Sequence, residues 1–323
     1  MAGEFNLITQ YFVNRQTQRK DVQLSLGDDS ALVTSPDNVQ IAISTDTLVA
    51  GTHFIAEANP AWVAHKALAS NLSDLAAMGA SPAWVSLALT LPEPDEMWLA
   101  PFSEAFFDLA NYFNIQLIGG DTTKGPLSMT LTVQGFVPQG KALRRDGAKV
   151  GDWIYVTGTL GDSAAGLEAI LDEKARNKPH AETLEYRHYH ATPRLLAGQA
   201  LRGVASSCLD ISDGLVSDLG HIMRASGVAA VIDVDALPLS SELETFYRDR
   251  DHALQVALSS GEEYELCFTV PEEQKGQMDT LLAPTGTKAT CIGQIRSGDS
   301  LSLERAGKAL DWHVSGYDHF KVM

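Results

Sequence analysis

The sequence carries several clusters in which aspartate stands beside serine, threonine or asparagine. The clusters are residues 27–30, residues 44–47, Asn71 with Asp74, residues 119–122 and residues 210–214. Magnesium is a small, hard cation that proteins bind through one or two carboxylates together with water and phosphate oxygens. Aspartate beside a hydroxyl side chain supplies such oxygens, so the clusters indicate a metal centre that acts on phosphate compounds.

Each cluster also has a structural explanation, which is the commoner one when a cluster is taken alone. Asp-Gly and Asp-Asp-Ser are ordinary turn sequences, and Asp213 before Gly214 suits the N-cap of a helix. Two features favour chemistry instead. Asp46 follows an apolar strand with no glycine or proline beside it, and Asn71 and Asp74 are three residues apart, on one face of a predicted helix.

Two further segments could bind phosphate. Residues 158–163 (GTLGDS) form a turn between a predicted strand and a predicted helix, where backbone N–H groups could cradle an anion. The turn lacks the ending of a Walker A loop and the dinucleotide-binding pattern, so a plain turn with an aspartate cap is the simpler interpretation. The basic pair Arg144 and Arg145 fits a phosphate group or an exposed position at a domain boundary equally well.

The composition excludes several classes of protein. With 24 basic and 41 acidic residues the formal net charge is −17, which disfavours nucleic acid and anionic lipid as partners. The first residues lack the basic and apolar regions of a secretion signal, and Cys208, Cys267 and Cys291 are far apart with no C-x-x-C pair. These features predict a cytoplasmic protein with reduced cysteines and no membrane span.

Short strands alternate with helices along the whole chain. One helix is predicted to begin at Pro60 and to end at Gly79, and a second helix is predicted over 102–113. Apolar and polar residues alternate over 40–45 and 127–137, which predicts two strands. A short strand over 115–118 is expected to end at the Gly-Gly-Asp sequence. The predicted elements of the second half are strands 153–157, 207–211, 228–234 and 264–270 and helices 163–171, 195–202 and 215–225.

The composition changes to Gly, Lys, Arg and Asp between residues 138 and 152. We therefore expect two domains, an N-terminal one over 1–138 and a C-terminal one over 150–323 that completes the substrate site. The charged stretch 172–190, with His180, His188 and His190, is predicted to be an exposed helix or loop. A solvated face is a better explanation of these histidines than a metal cluster.

Taken together, the motifs resemble a superfamily of ATP-binding enzymes that includes aminoimidazole ribonucleotide synthetase, selenophosphate synthetase and thiamine-monophosphate kinase. Residues 27–31 (GDDSA), 71–80 (NLSDLAAMGA) and 119–122 (GGDT) are features of the larger group. Residues 43–54, 210–215, 260–266 and 316–320 give a narrower resemblance to the thiamine-monophosphate kinase family. One departure is Glu263, where that family usually has aspartate.

The resemblance implies a two-domain α+β or α/β fold of the aminoimidazole ribonucleotide synthetase type, with an N-terminal mixed sheet that forms a homodimer. It implies thiamine monophosphate and ATP as substrates, several magnesium ions, and no side chain that acts as acid, base or nucleophile. The implied magnesium ligands are Asp29, Ser44, Thr45, Asp46, Asp74, Asp121, Asp210 and Asp213. The implied ATP contacts are Gly120, Asp121, Arg145 and Ser212, and the implied substrate contacts are His53, Glu262 and Tyr317.

Other functions fit the sequence less well. Selenophosphate synthetase is expected to need a reactive cysteine in its N-terminal segment, whereas the first cysteine here is Cys208. Aminoimidazole ribonucleotide synthetase fits the fold but leaves residues 316–320 unexplained. A non-catalytic nucleotide-binding protein would have no need for the intact set of aspartates.

Overall fold

The computed structural model describes residues 4–13 and 15–317. The chain divides into two compact units. Unit 1 comprises residues 1–75 and 80–140, and unit 2 comprises residues 76–79 and 141–323. Asp318, His319 and Phe320, which carry part of the resemblance, lie outside the described residues.

Unit 1 combines mixed β-structure with helices. Its strands are β1 (Val22–Leu24), β2 (Leu32–Val33), β3 (Val39–Val49), β4 (Ser81–Leu91), β5 (Gln116–Lys124) and β6 (Ser128–Pro138). Its helices are α1 (Glu4–Tyr11), α2 (Pro60–Ala77) and α3 (Glu96–Tyr112). Four of the strands form a sheet in the order β3-β6-β4-β5, in which only the β4–β5 pair is parallel.

The two faces of this sheet differ because strand residues alternate from one face to the other. On β6 the buried face carries Met129, Leu131 and Val133. The opposite face carries paired hydroxyl groups, since Thr45 and Thr47 of β3 bond to threonines of β6 at 2.9 and 2.8 Å. One face therefore packs on the core, and the other is polar with scattered β-branched residues.

Two strand boundaries differ from the prediction. Strand β3 does not end before Asp46 but continues to Val49 and pairs with β6 throughout. Strand β5 does not end at the Gly-Gly-Asp sequence, because Gly119, Gly120 and Asp121 all pair with β4. In both cases pairing with a neighbouring strand outweighs the local tendency of polar residues and glycine to form turns.

Helix α2 begins at Pro60 and ends at Ala77, close to the predicted limits. Its buried side chains include Leu68, Leu72 and Leu75, and Asn71 lies among them without measurable exposure. Lys66 on the same helix is only 1% exposed. Buried asparagine and lysine need hydrogen-bond partners, which makes this helix more than a packing element.

Unit 2 is built on a larger sheet that is mostly antiparallel. Its strands are β7 (Trp153–Thr157), β8 (Ser207–Asp210), β9 (Ala229–Asp233), β10 (Leu266–Val270), β11 (Ala289–Arg296), β12 (Leu301–Arg305) and β13 (Lys308–Ala309). Among the described residues the order is β13-β12-β9-β11-β7-β10-β8, and the β12–β9 pair is parallel. The sequence did not predict strands β11 to β13.

The helices of unit 2 lie between these strands in the chain. They are α4 (Asp162–Leu171), α5 (Glu173–Arg176), α6 (Ala181–Tyr189), α7 (Leu195–Ala200), α8 (Leu215–Ser226), α9 (Ser241–Tyr247), α10 (Arg250–Ser259), α11 (Glu272–Lys275) and α12 (Met278–Leu282). The main apolar core of the unit includes Ile154, Val156, Leu209, Ile222 and Ile232. Within the described ranges no helix is long and apolar enough to cross a membrane.

Among the three histidines of residues 172–190, the prediction of a solvated face was wrong for His188, and Ala175, Ala181, Leu184 and Tyr189 of the same stretch are also buried. His188 on α6 is 1% exposed, and its ring lies against the first turn of α4. The two helices approach closely at Gly166, where a Cβ atom would lie 2.2 Å from the backbone oxygen of Leu184. This close approach places the histidine in the interior of the unit.

Candidate functional site

In unit 1 the structure brings Ser44, Asp46, Asn71 and Asp74 together. The backbone N–H of Asp46 donates to Oδ1 of Asn71 at 3.3 Å, and the hydroxyl of Ser44 donates to Asp74. The amide of Asn71 also donates to the carbonyl of Ala67 at 2.9 Å, which fixes its orientation. Because Ser44 and Asp46 are two residues apart on β3, both side chains point to the face that carries α2.

This group is suited to a divalent cation. Burial, and secondly the neighbouring Asp74, raise the pKa of Asp46 to about 6. Two carboxylates that disfavour each other's ionisation form a site that a cation would stabilise. Among the described residues no three acidic, histidine or cysteine side chains are gathered to hold a metal. Two carboxylates nevertheless satisfy magnesium when phosphate oxygens and water complete its coordination.

Other residues expected at the metal site lie apart from this group. The side chain of Thr45 points to the opposite face of the sheet, where it bonds to Thr132 at 2.9 Å, so its hydroxyl does not accompany Ser44 and Asp46. Asp29 lies in an exposed turn between β1 and β2, and its N–H donates to Asp28. Asp121 is exposed on β5.

Gly120 and Asp121 line an open cleft within unit 1. Its walls are apolar side chains, including Leu26, Leu89 and Leu117. A Cβ atom on Gly120 would lie only 1.9 Å from the backbone oxygen of Leu87, so strand packing by itself requires glycine at that position. Gly119 has no such neighbour, and a Cβ atom there would meet open space.

His53 follows β3 in a turn that is held in two ways. Its Nδ1 accepts a hydrogen bond from the backbone N–H of Val49 at 3.1 Å, so the proton of a neutral ring would be on Nε2. The buried ammonium group of Lys66 donates to the carbonyl of His53 at 2.8 Å. This role of Lys66 could not be predicted, because the lysine stands in an apolar stretch without a recognisable pattern.

In unit 2 Asp210 is the last residue of β8, and the loop that follows carries Ser212 and Asp213. The carboxylate of Asp218, in the first turn of α8, accepts hydrogen bonds from the backbone N–H groups of Ser212 and Asp213, both at 3.0 Å. Burial raises the pKa of Asp218 to about 6, against the opposing effect of these bonds. Asp218 was not among the expected site residues, yet it fixes the loop that carries them.

Replacing Asp218 by alanine should leave two backbone donors without their acceptor. We expect Asp218→Ala to lower the free energy of unfolding by about 2 kcal/mol, since an orphaned buried donor costs its full desolvation. Asp218→Asn keeps an acceptor oxygen and should cost less than half of that. Urea unfolding of the two variants and the original protein measures the difference, and equal stability of the two variants would contradict this role.

Two other chain segments converge on this loop in unit 2. The N–H of Glu262 donates to the carbonyl of Ser212 at 2.7 Å, and the N–H of Tyr317 donates to the carbonyl of Asp213 at 2.9 Å. Glycines allow the approach, because a Cβ atom on Gly261 would lie 2.6 Å from the oxygen of Ser212. The structure thus brings Asp213, Glu262 and Tyr317 into one neighbourhood.

The segment that carries Glu262 has an unusual backbone. Glu262 and Tyr264 both have positive φ angles, 59° and 54°, which residues other than glycine rarely adopt. The next residue, Glu265, accepts hydrogen bonds from Arg194 and from Thr157. Strain of this kind persists only where surrounding contacts fix it, and it is concentrated at functional sites.

The turn over 158–163 does not present its N–H groups to solvent. A carboxylate oxygen of Glu263 accepts a hydrogen bond from the N–H of Gly161 at 2.8 Å, at the start of α4. Asp162 does not cap the helix, since its side chain accepts hydrogen bonds from Thr159, Arg187 and Ser240. The acceptor at this helix end is therefore a side chain of the protein itself, and burial raises the pKa of that carboxyl group well above its ordinary value.

Arg144 and Arg145 have different surroundings. Arg144 forms a two-bond ion pair with Asp146, and all of these atoms are near the surface. Arg145 is exposed and close enough to His221 to help lower the pKa of that histidine, after the larger effects of burial and Arg224. Asp213 acts on His221 in the opposite direction, which places Arg145 and Asp213 near the same ring.

Comparison with known proteins defines the class. The model of the AIR synthase related protein N-terminal domain matches residues 27–137, and the corresponding C-terminal domain model matches residues 149–305. These two models cover most of the chain, and they confirm the predicted two-domain fold of mixed sheets and helices.

Comparison with individual proteins identifies the family within this class. A thiamine-monophosphate kinase of Salmonella typhimurium is 55% identical over 322 residues, covering 99% of this chain and 98% of that protein. The crystal structure of thiamine-monophosphate kinase from Stenotrophomonas maltophilia is 42% identical with a TM-score of 0.86, covering 94% of this chain and 97% of that one. A structure of AaThiL complexed with AMPPCP and TMP is 32% identical with a TM-score of 0.78, covering 98% and 97%. The chain belongs to the thiamine-monophosphate kinase family.

Proposed function

We propose that this protein transfers the γ-phosphoryl group of ATP to the phosphate of thiamine monophosphate, giving thiamine diphosphate and ADP. This is the last step of thiamine diphosphate biosynthesis. The observation that carries the proposal is the similarity to thiamine-monophosphate kinases over the full length of the chain. The binding of AMPPCP and TMP by one solved relative supports both substrates.

The chemistry needs little from acid or base groups. A phosphate monoester has a second pKa near 6, so the attacking phosphate is mostly a dianion at neutral pH. The main obstacle is repulsion between this dianion and ATP, since a pair of unit charges 4 Å apart costs about 4 kcal/mol at an effective dielectric constant of 20. We therefore propose direct in-line transfer with no phosphorylated enzyme and no catalytic side chain.

We propose that the protein's aspartates hold magnesium ions for this reaction. In unit 1 the candidates are Asp46, Asp74 and Ser44, which are supported by mutual contacts. In unit 2 the candidates are Asp210, at the end of β8, and Asp213, in the loop that follows. Bound magnesium neutralises phosphate charge and orients donor and acceptor. The protein's own contribution is to fix these oxygens, through Asn71 in unit 1 and Asp218 in unit 2.

We propose that ATP uses Gly120 and Asp121 in unit 1 and Arg145 and Ser212 in unit 2. The cleft beside Gly120 has apolar walls suited to a nucleoside and a polar end at Asp121 and Thr122. Arg145 is exposed and presents a guanidinium group that matches phosphate oxygens. We also propose Asp29 as a magnesium ligand, since its side chain is exposed and accessible to a bound ion.

For thiamine monophosphate we propose His53 in unit 1 and Glu262 with Tyr317 in unit 2. The thiazolium ring of this substrate carries a positive charge, which suits a carboxylate and an aromatic face. Glu262 and Tyr317 both bond through their backbones to the loop of Ser212 and Asp213. We also propose a cytoplasmic location, since the reaction consumes ATP and the three cysteines are free thiols.

The protein should form a homodimer through the four-stranded sheet of unit 1. The sheet face opposite α2 exposes Ile41 and Ile43 by 45% and 64%, beside the paired threonines of β3 and β6. A sheet face with exposed β-branched side chains is suited to packing on a copy of itself.

Ile43→Lys should therefore shift the protein towards the monomer. A lysine in the centre of a two-fold apolar contact would face its own copy and repel it. Sedimentation velocity should give a dissociation constant raised by at least about tenfold. Leu171→Lys, at a position 68% exposed on α4 of unit 2, serves as the control. An original protein that is monomeric at all concentrations would refute the dimer.

One assay tests the proposed function. Purified protein is mixed with ATP labelled in the γ-phosphate, magnesium is varied, and thiamine monophosphate is compared with thiamine as acceptor. We expect magnesium-dependent thiamine diphosphate formation from thiamine monophosphate only, and no label on the protein during turnover. Absence of product would refute the function, and a trapped phosphoprotein would refute direct transfer.

A further inference from the structure

The interior of unit 2 contains a polar group that the proposed reaction does not use. Nδ1 of His188 lies 2.9 Å from the hydroxyl oxygen of Ser163 and 3.1 Å from its carbonyl oxygen. Nε2 of the same ring lies 3.8 Å from a carboxylate oxygen of Glu262. A buried histidine thus stands between the first turn of α4 and a proposed substrate residue.

The contacts restrict where the imidazole carries its protons. A carbonyl oxygen is only an acceptor, so Nδ1 beside the carbonyl of Ser163 carries hydrogen and donates it. The other nitrogen, Nε2, faces the carboxylate of Glu262 and supports it only as an imidazolium, with hydrogen on Nε2 as well, because the lone pair of a neutral ring would repel a carboxylate. The 3.8 Å separation is too long for a direct hydrogen bond but short enough for a strong electrostatic interaction where water is excluded.

The surroundings of Glu262 make a charged neighbour important for its carboxylate. Its side chain is 26% exposed, and its backbone holds a φ angle of 59°. A largely buried carboxylate stays ionised and in one place only if neighbouring groups compensate its charge and restrict its rotamers. The hydrogen bond from its N–H to the carbonyl of Ser212 fixes the backbone, and Nε2 of His188 lies 3.8 Å from the carboxylate.

The ring itself has little freedom to move. The side chain of His188 is 1% exposed, and α4 and α6 meet without a gap because residue 166 is glycine. A Cβ atom on Gly166 would lie 2.9 Å from Cβ of His188. Rigid packing of this kind is what a residue needs if it is to position another side chain to within a fraction of an ångström.

We propose that His188 is a positioning residue for Glu262, and that the Ser163–His188–Glu262 arrangement sets the affinity for the cationic part of the substrate. The inference rests on the proposed function, because it takes Glu262 to contact the thiazolium cation. His188 would act only through that carboxylate. Its substitution should therefore change the KM for thiamine monophosphate and leave the KM for ATP unchanged.

A double-mutant cycle tests this inference. His188→Asn keeps a donor near the position of Nδ1 but removes the atom that faces Glu262, and Glu262→Gln removes the charge. We expect His188→Asn to raise the KM for thiamine monophosphate about tenfold, with kcat and the KM for ATP changed by less than about twofold. In the Glu262→Gln background the same substitution should add less than about twofold, because interacting residues are not additive.

Two further variants complete the design. His190→Asn makes the same chemical change two residues away, at a partly exposed ring stacked on Tyr186, and should leave all three constants unchanged. His188→Gln extends an amide towards the position of Nε2 and should recover much of the lost affinity. If His188→Asn fails to fold, the cycle is measured with His188→Gln, for which a smaller but equally non-additive effect is expected.

The outcomes separate the inference from the proposed function. Multiplicative effects of the two substitutions, or equal losses of affinity for both substrates, would overturn the role of His188 while the kinase activity stands. If the original protein does not phosphorylate thiamine monophosphate, the proposed function itself fails, and this is known before any variant is measured.

Discussion

Asp46→Asn should abolish most magnesium-dependent turnover while the protein stays folded. The substitution keeps the shape of the side chain but removes a negative charge from the pair that Asp46 forms with Asp74. Loss of groups that merely orient a metal ligand typically costs 10–100-fold in activity, so loss of a ligand itself should exceed about 100-fold. Initial rates of thiamine diphosphate formation across a magnesium titration measure the effect.

The same change should not weaken the fold. Burial and Asp74 together raise the pKa of Asp46 to about 6, which means that the folded protein holds this charge unfavourably when no cation is bound. A neutral amide removes the conflict, so the melting temperature without magnesium should be equal or higher. Asp37→Asn, at an exposed position before β3, is the matched control. Normal activity of Asp46→Asn at saturating magnesium would exclude Asp46 as a ligand.

Gly120→Ala should destabilise unit 1 strongly. The added Cβ atom would lie 1.9 Å from the backbone oxygen of Leu87, and a paired strand cannot move aside as a flexible side chain does. Overpacking of this kind costs about 3 kcal/mol when backbone has to shift. Thermal and urea unfolding of the purified variant measure the loss.

Gly119→Ala provides the control, since a Cβ atom at residue 119 meets open space. This variant should keep its stability within about 0.5 kcal/mol, as surface substitutions usually do. Equal stability of the two variants would show that β4 and β5 are not packed as described. If Gly120→Ala folds normally but binds ATP poorly, the glycine serves the nucleotide and not the sheet.

Part of the site follows from local sequence rules. Asn71 and Asp74 are three residues apart on a helix, and Ser44 and Asp46 are two residues apart on a strand. The helix spacing predicts a pair of side chains on one face, whereas Ser44 and Asp46 become a pair only because β3 extends through residue 46, and the structure joins the two pairs. The same alternation excludes the hydroxyl of Thr45, a conclusion available only once β3 is known to extend through residue 46.

Other features depend on contacts between distant segments. Glu263 and Gly161 are about a hundred positions apart in the chain, and no local pattern indicates that the carboxylate would occupy the start of α4. The burial of His188 depends likewise on the approach of α4 and α6 at Gly166. The strands β11 to β13 gain their stability from sheet partners, which short polar sequences do not reveal.

The position of β3 has a consequence for how the protein behaves in solution. Among the described strands it is an edge of its sheet, eleven residues long, with one row of backbone groups available for pairing. Long edges of this kind promote aggregation unless a charge directed into the sheet opposes a new neighbour. Asp46 points to the buried face of this strand, so we expect the carboxylate proposed to hold the metal also to oppose pairing of β3 with a strand of another chain.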